Sequence, residues 1–280
     1  MDDRGLAYLD AMGIQSWVRK SSLAPLLQRG VDVNVVHVVT DANLPLQNEV
    51  DVAGSNPPLQ KEGRGNLDTL RISVANCTAC GLHQGRTQTV FGVGDHNAQW
   101  MIIGEAPGAE EDRQGEPFVG RAGQLLNAML LAIGLPREEV YIANVVKCRP
   151  PNNRDPAPEE AVACEPYLKR QIALIKPKVI LVVGRIAAHN LLKTDAPLGT
   201  LRGKRWSYAD TGIPVIVTYH PAYLLRAPKE KRKAWEDLQF AQQVFAAVPA
   251  RPCAAAVHGI LNPSLRSPTA LAHPCAAETR

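Results

Sequence analysis

Val179-Ile180-Leu181-Val182-Val183-Gly184 is the segment that decides the fold of this 280-residue chain. Five apolar, mostly β-branched residues followed by a glycine are typical of a strand that is buried on both faces of a sheet. Three similar segments predict further strands at residues 100–103, 140–146 and 213–218.

The segments around these strands carry apolar residues at helical spacing. They predict helices at residues 121–133, 158–175 and 185–192, and from about 229 to 247. Buried strands that alternate with helices indicate a parallel sheet covered on both sides. We therefore predict an α/β fold: three α/β/α layers around a central, mostly parallel, four-stranded sheet.

Composition divides the chain into four parts. Residues 1–20 form a short amphipathic peptide, residues 21–66 a linker, residues 67–247 the folded domain and residues 248–280 a tail that we expect to be disordered.

The bulk composition is that of an ordinary globular protein, with 45% hydrophobic and 21% charged residues. The net charge of +4 permits an acidic partner such as nucleic acid. No apolar run approaches the roughly 20 residues needed to cross a bilayer, and the N-terminus lacks a secretory pattern. We expect a cytoplasmic monomer with reduced thiols.

Four cysteines inside the predicted domain have the character of metal ligands. Cys77 and Cys80 form a C-x-x-C pair, while Cys148 follows a predicted strand and Cys164 lies in the next predicted helix. Such a set suits either tetrahedral zinc or an iron–sulfur cluster.

Polar residues stand where three of the predicted strands end. Glu105 follows the first strand, Asn144 lies late in the second and His220 follows the fourth. Because ligands of open α/β sheets bind outside the carboxyl ends of the strands, we expect these side chains to share one cleft.

Single residues in these segments suggest how a base could be bound. The amide of Asn144 offers one acceptor beside one donor, which suits the N3–H and O4 edge of uracil and mismatches cytosine. Phe118, in a glycine-flanked loop, can stack on a flipped base or cap the core. The apolar run Tyr223-Leu224-Leu225 with Arg226, in a predicted loop, suits a wedge between stacked bases or a hydrophobic contact onto the last helix.

Four segments together closely resemble the family 4 uracil-DNA glycosylases, the type that carries a [4Fe–4S] cluster. They are GEAPGAEED (104–112), PFVGRAG (117–123), NVVKCRPPNNRDP (144–156) and HPAYLLR (220–226), and the resemblance spans about residues 68–245. It implies an enzyme that flips uracil out of DNA, hydrolyses its N-glycosidic bond to leave an abasic site, and so initiates base-excision repair.

The resemblance also implies roles for particular residues. His220 would stabilise the uracil anion, with Glu105 and Asn144 as further catalytic residues. Uracil would be bound by Ala106, through backbone near O2, by Glu111, crowding C5, and by Phe118 and Asn144. DNA would be contacted by Gly123, Asn153, Arg154 and Arg226 at phosphates, and by Tyr223, Leu224 and Leu225 in the duplex gap. Cys77, Cys80, Cys148 and Cys164 would ligate a structural [4Fe–4S] cluster.

One departure concerns water activation. Family 1 enzymes carry an Asp and a Tyr in the first motif, where this chain has Ala106 and Gly108. Water activation would then fall to Glu105 or Asp112, or would need no strong base if cleavage is dissociative.

The N-terminal pattern Leu9-x-x-Met12-Gly13-Ile14-x-x-Trp17 resembles the peptide of the bacterial clamp-loader psi subunit that docks on the chi subunit. It implies docking of residues 1–20 on clamp-loader or other replication proteins, although an idle amphipathic leader fits as well. Two alternatives to the glycosylase stay open from the residues: a non-catalytic iron–sulfur DNA-binding module, and a zinc-stabilised hydrolase acting on nucleotides.

Overall fold

A computed structural model describes residues 66–249 of the chain. The predicted peptide at 1–20, the predicted linker up to residue 65 and the predicted tail from residue 250 lie outside these residues. The first element begins at Leu67 and the last ends at Ala247.

Within the described residues, six strands form one mixed sheet with the order β1-β3-β2-β4-β6-β5. They are β1 (Val93–Gly94), β2 (Trp100–Gly104), β3 (Tyr141–Asn144), β4 (Val179–Val183), β5 (Trp206–Tyr208) and β6 (Ile213–Thr218). The neighbours among β3, β2, β4 and β6 are parallel, whereas β1 and β5 are antiparallel edges. The predicted α/β fold is confirmed.

The predicted count of four strands is wrong, because the two edge strands were missed. Strand β1 has two residues, one of them a glycine, and β5 has three. Strands this short show too little alternation of apolar and polar residues to stand out in a sequence. The four predicted strands are the four central, parallel ones.

Helices cover both faces of the sheet. They are α1 (Leu67–Ala75), α2 (Ala109–Gln114), α3 (Arg121–Ala132), α4 (Pro158–Ile175), α5 (Arg185–Leu192), α6 (Leu198–Leu201), α7 (Pro221–Arg226) and α8 (Lys231–Ala247). None of the helices in the described part of the chain is long and apolar enough to cross a membrane.

Side chains of alternate residues in each strand point to opposite faces of the sheet and pack into two separate cores. On β2, Met101 and Ile103 pack with α1, α4 and α5, while Trp100 and Ile102 pack with α3 and α8. Residues that point to both faces are therefore apolar, which explains the unbroken apolar runs in the sequence. The three-layer arrangement is confirmed.

The chain reverses its direction of winding at β2, because β3 and β4 lie on opposite sides of that strand. This is a topological switch point, where open α/β sheets bind ligands. Beyond the end of β3, the backbone N–H groups of Val145 and Val146 donate to the carbonyls of Gly104 and Glu105. These bonds hold the segments that follow β2 and β3 side by side.

We expect Leu238→Ala to lower the free energy of unfolding by about 2–5 kcal/mol, because Leu238 of α8 is fully buried against the sheet. Ile72→Ala is the control, since Ile72 of α1 is 63% exposed, and it should change stability by less than about 0.5 kcal/mol. Denaturant unfolding followed by circular dichroism measures both. Equal losses for the two variants would contradict the core assignment.

Candidate active site

A cleft of about 440 Å³ lies at the carboxyl ends of β2, β3 and β6. Its lining includes ten of the predicted site residues: Glu105, Ala106, Glu111, Phe118, Asn144, Asn153, Arg154, His220, Tyr223 and Arg226. Gly123, Leu224 and Leu225 are the predicted DNA- or base-binding residues that do not line it. The convergence expected from strand order is therefore present.

Asn144 and Phe118 meet at Gly104, the last residue of β2. A Cβ atom on Gly104 would lie 2.5 Å from Asn144 Oδ1 and 2.6 Å from Phe118 Cζ, so only glycine leaves room for both. Asn144 is 2% exposed, and its Oδ1 has no hydrogen-bond partner among the described residues. A buried acceptor without a partner is costly, and in a cleft it offers a position for a donor on a ligand.

Glu111 holds the loop that carries Phe118. Its Oε1 accepts the backbone N–H groups of Val119 (3.0 Å) and Gly120 (3.2 Å), and its Oε2 accepts that of Gly108 (3.2 Å). The prediction that Glu111 crowds C5 of the base stays a prediction. Both oxygens of its carboxylate are engaged in positioning backbone.

Two further residues shape this loop. Arg137 donates to the carbonyls of Pro117 (2.6 Å) and Phe118 (3.3 Å). A Cβ on Gly123 would lie 1.8 Å from the Phe118 carbonyl oxygen. Gly123, predicted as a phosphate contact, is buried and permits close packing of this loop on α3. Arg137 stands outside the motifs and carried no sequence signal of a site.

His220 is held as a neutral imidazole with a defined tautomer. It caps α7, and its Nδ1 accepts the backbone N–H of Ala222 at 3.1 Å, which leaves the proton on Nε2. Burial, and in second place the charge of Arg226, lowers the pKa of His220 to about 4, while the charge of Glu111 acts in the opposite direction. The ring centroids of His220 and Phe118 are 5.7 Å apart.

Glu105, one of the two carboxylates predicted to activate water, lines the cleft. Burial raises its pKa to about 7, with the charge of Asp155 as a further cause, while Arg185 acts in the opposite direction. Such a group exchanges protons near neutral pH. The alternative, Asp112, is 4% exposed, does not line the cleft, and accepts the Thr87 N–H with both oxygens. Asp112 therefore anchors a loop and is unavailable to water in the cleft.

The segment HPAYLLR is a helix, α7, and not the predicted loop, since His220 caps it and Pro221 opens it. Helical geometry separates the two leucines. Leu224 is 1% exposed and packs in the core with α3 and α8, whereas Tyr223 and Leu225 are 39% and 37% exposed. The prediction that Leu224 fills the duplex gap stays a prediction, and its side chain packs in the core in this structure.

The side chains predicted to contact phosphates stand in different environments. Both terminal nitrogens of Arg154 donate to Glu160 (2.9 and 2.6 Å), which in turn caps the start of α4. Asn153 accepts from Arg149 at 2.7 Å. Arg226 is exposed at the edge of the cleft.

The four predicted metal ligands, Cys77, Cys80, Cys148 and Cys164, line one small cavity and form no disulfide. Cys77 and Cys80 follow α1, Cys148 follows β3, and Cys164 lies in α4. Within residues 66–249, no three His, Cys, Asp or Glu side chains are arranged to hold a single metal ion. Four thiols around one cavity are a ligand set of the kind that tetrahedral zinc and iron–sulfur clusters both use.

N–H groups point at three of the four sulfur atoms. Arg86 Nη1 donates to Cys148 Sγ (3.1 Å), Lys147 N to Cys164 Sγ (3.3 Å) and Ala79 N to Cys77 Sγ (3.5 Å). Hydrogen bonds of this kind stabilise thiolate ligands of iron–sulfur clusters. Arg86 lies far from its partner in the sequence and was not predicted.

Lys147 links the cysteines to the cleft. Its ammonium group is fully buried and donates to the main-chain carbonyl of Asn144 (2.8 Å) and to Gln171 Oε1 (2.6 Å). Gln171 is fixed in turn by donating to the carbonyl of Phe91 at 2.8 Å. A buried polar network of Lys147 and Gln171 therefore anchors the backbone of Asn144.

The family model of the uracil DNA glycosylase superfamily matches residues 91–239 of the chain. This span contains β2, β3, β6 and the whole cleft. The chain is therefore a member of the uracil DNA glycosylase superfamily.

Individual relatives narrow the class. A type-4 uracil-DNA glycosylase from Archaeoglobus fulgidus is 45% identical over 180 residues, which are 62% of this chain and 90% of the relative. One from Thermotoga maritima is 45% identical over 179 residues, 63% of this chain and 93% of the relative. A type-5 uracil-DNA glycosylase from Pyrobaculum aerophilum is 33% identical over 147 residues, 47% of this chain and 64% of the relative. This chain belongs to the type-4 uracil-DNA glycosylase family.

We expect Gly123→Ala to reduce uracil excision at least tenfold while the protein stays folded, because the new methyl group displaces the Phe118 carbonyl and misplaces the ring. Gly199→Ala, where a Cβ meets nothing within 4 Å, is the matched control and should keep full activity. Uracil release from an oligonucleotide measures both. Full activity of Gly123→Ala would show that this close packing does not matter.

Proposed function

We propose that this uracil-DNA glycosylase binds a uracil flipped out of DNA in the cleft between β2, β3 and β6 and hydrolyses its N-glycosidic bond. The observation that carries the proposal is the unpartnered, buried Oδ1 of Asn144 beside Phe118 and His220. Flipping costs a few kcal/mol, which contacts in the cleft must offset.

Asn144 supplies discrimination between uracil and cytosine. Its Oδ1 accepts from uracil N3–H, and its amide nitrogen donates to O4. Cytosine presents an acceptor and a donor in the reverse order, so two polar groups would oppose like groups in a buried site. Leaving buried polar groups unpaired discriminates strongly between ligands. Phe118 stacks on the base and orients it against Asn144.

His220 acts on the leaving group. As the glycosidic bond breaks, negative charge develops on uracil, and the Nε2–H of a neutral imidazole donates a hydrogen bond to O2. A preorganised donor in a site with little water stabilises this charge without reorganising. The lowered pKa of His220 supports this role, because the group is already neutral and loses no proton near pH 7. Backbone at Ala106 lies beside the same position.

Glu105 orients or deprotonates the attacking water. Its position at the end of β2 and its raised pKa support this role, since a base is most effective when its pKa is near the working pH. Asp155 and Arg185, which form an ion pair at 2.9 Å, set the charge balance beside it.

DNA is held around the cleft by groups from two segments. Tyr223 and Leu225 of α7 present exposed apolar surface that suits the gap left by the flipped nucleotide. Arg226 on the same helix suits a phosphate, and Asn153 and Arg154, which follow β3, also line the cleft. Gly123 remains a candidate only through its backbone N–H in the first turn of α3.

Cys77, Cys80, Cys148 and Cys164 are the residues that would hold a [4Fe–4S] cluster. When bound, such a cluster would cross-link three parts of the chain: the end of α1, the segment that follows β3, and helix α4. It would take no part in the reaction itself. Arg86 and the backbone of Lys147 orient the thiolates. Since Asn144 and Cys148 are four positions apart, ordering the cysteines also orders the base-reading residue.

Cleavage of a uracil-containing oligonucleotide after alkali treatment tests the proposed function. We expect alkali to break the strand only at uracil after incubation with the wild-type protein. His220→Ala should lower the single-turnover rate of uracil release by about 10²–10³-fold, as for loss of one oxyanion-type donor. His96→Ala, an exposed histidine outside the cleft, is the matched control. A strand left intact by the wild-type protein would exclude the glycosylase and favour a DNA-binding module.

The rate of excision should rise with pH through about pH 7 and then level off, because Glu105 is protonated below its raised pKa of about 7 and ionised above it. His220 stays neutral over this range, since its pKa is about 4. Glu105→Gln should abolish the rise, whereas Glu110→Gln, an exposed neighbour, should keep it. A rise that persists in Glu105→Gln would assign the titration to another group.

Iron and acid-labile sulfide assays test the cofactor. We expect about four of each per chain in the purified protein. Both should be lost, along with most activity, in Cys164→Ser. Cys253→Ser, which changes a cysteine outside the quartet, should retain both. If the wild-type protein contains zinc and no sulfide, the cluster proposal is wrong and the cysteines hold a single zinc ion.

A further inference from the structure

Phe118 is held in a backbone conformation that a non-glycine residue seldom adopts, with φ of +56°. This conformation turns its ring toward Gly104 and His220, where the base is proposed to bind. A residue keeps such a strained backbone conformation only when the surrounding contacts hold it there. The contacts that do so here come from two opposite charges.

Arg137 binds the carbonyl side of the loop. It lies in the turn before β3, and its guanidinium donates to the carbonyls of Pro117 and Phe118. Asn127 of α3 accepts a third bond from the same group at 3.0 Å and so fixes its direction. The guanidinium is half-buried, and Glu111 and Glu116 are the carboxylates whose charges act on it.

Glu111 binds the amide side of the same loop, through the N–H groups of Val119 and Gly120. The peptide unit between Phe118 and Val119 is therefore held at both ends, its carbonyl by a cation and its N–H by an anion. Charge-assisted hydrogen bonds of this kind are stronger than neutral ones and set direction as well as distance. This arrangement leaves the aromatic ring as the part of the loop that faces the cleft.

We infer that Arg137 is a positioning residue for uracil recognition, which keeps the Phe118 ring in the plane where the flipped base stacks. The inference rests on the proposed stacking role of Phe118. Arg137 does not line the cleft, so it acts through Phe118 and does not contact the substrate. Removing the guanidinium leaves two carbonyls without their donors, and the loop relaxes toward an unstrained backbone.

A double-mutant cycle with Arg137→Met and Phe118→Leu tests the inference. The measured quantity is the steady-state kcat/KM on a uracil-containing oligonucleotide. We expect Arg137→Met to lower kcat/KM about 10- to 100-fold in the wild-type background. In the Phe118→Leu background it should lower kcat/KM less than about threefold, because residues that act through one another are not additive. The inhibition constant of free uracil should rise in parallel.

Three controls accompany the cycle. Arg232→Met removes an exposed arginine of α8 and should leave kcat/KM unchanged. Arg137→Lys should recover part of the loss, because an ammonium can bond one of the two carbonyls. If Arg137→Met fails to fold, Asn127→Ala takes its place in the cycle, since it removes only the acceptor that aims the guanidinium.

The outcomes separate the inference from the function on which it rests. Losses that multiply in the double mutant, or an unchanged kcat/KM for Arg137→Met, overturn the positioning role while the glycosylase stands. A wild-type rate for Phe118→Leu removes the stacking role itself, and the inference falls with it. Equal thermal unfolding of wild type and Arg137→Met, together with non-additive rates, supports the inference.

Discussion

The close approach of three segments at Gly104 is the constraint on which the site depends. Parallel pairing of β2 with β3 places Gly104 beside Asn144, and the absence of a side chain at Gly104 admits the Phe118 ring to the same point. The amide of Asn144 and an aromatic ring can thus face one small volume only because the sheet register and a glycine coincide. The α/β scaffold is common to many proteins, but this coincidence is particular to the site.

The segment between β3 and α4 joins recognition to the cysteines. Within five residues it carries Asn144, the buried Lys147 and Cys148, and Lys147 bonds both the Asn144 carbonyl and, through its backbone N–H, Cys164. A buried polar network makes the region around it rigid, and this one fixes the backbone of Asn144. This connectivity supports the structural role proposed for the cluster.

Several residues of the recognised motifs serve the backbone and not the ligand. Asp112 anchors the Thr87 loop, Glu111 the Phe118 loop, and Glu160 joins Arg154 to the start of α4. Leu224 belongs to the core, although its neighbours on α7 are exposed. A motif therefore marks a site as a whole, while burial and hydrogen bonding divide its residues between chemistry and support.

The sequence by itself determined the fold class, the four central strands and the meeting of Glu105, Asn144 and His220, because apolar runs and strand ends are local features with a fixed geometric meaning. The cysteine quartet was readable for the same reason. Only the tertiary structure decided the edge strands, the burial of Leu224, the tautomer of His220, and the parts played by Arg86 and Arg137. These depend on contacts between residues far apart in the chain, such as Arg86 with Cys148, and no local pattern encodes which side chain a distant backbone group will meet.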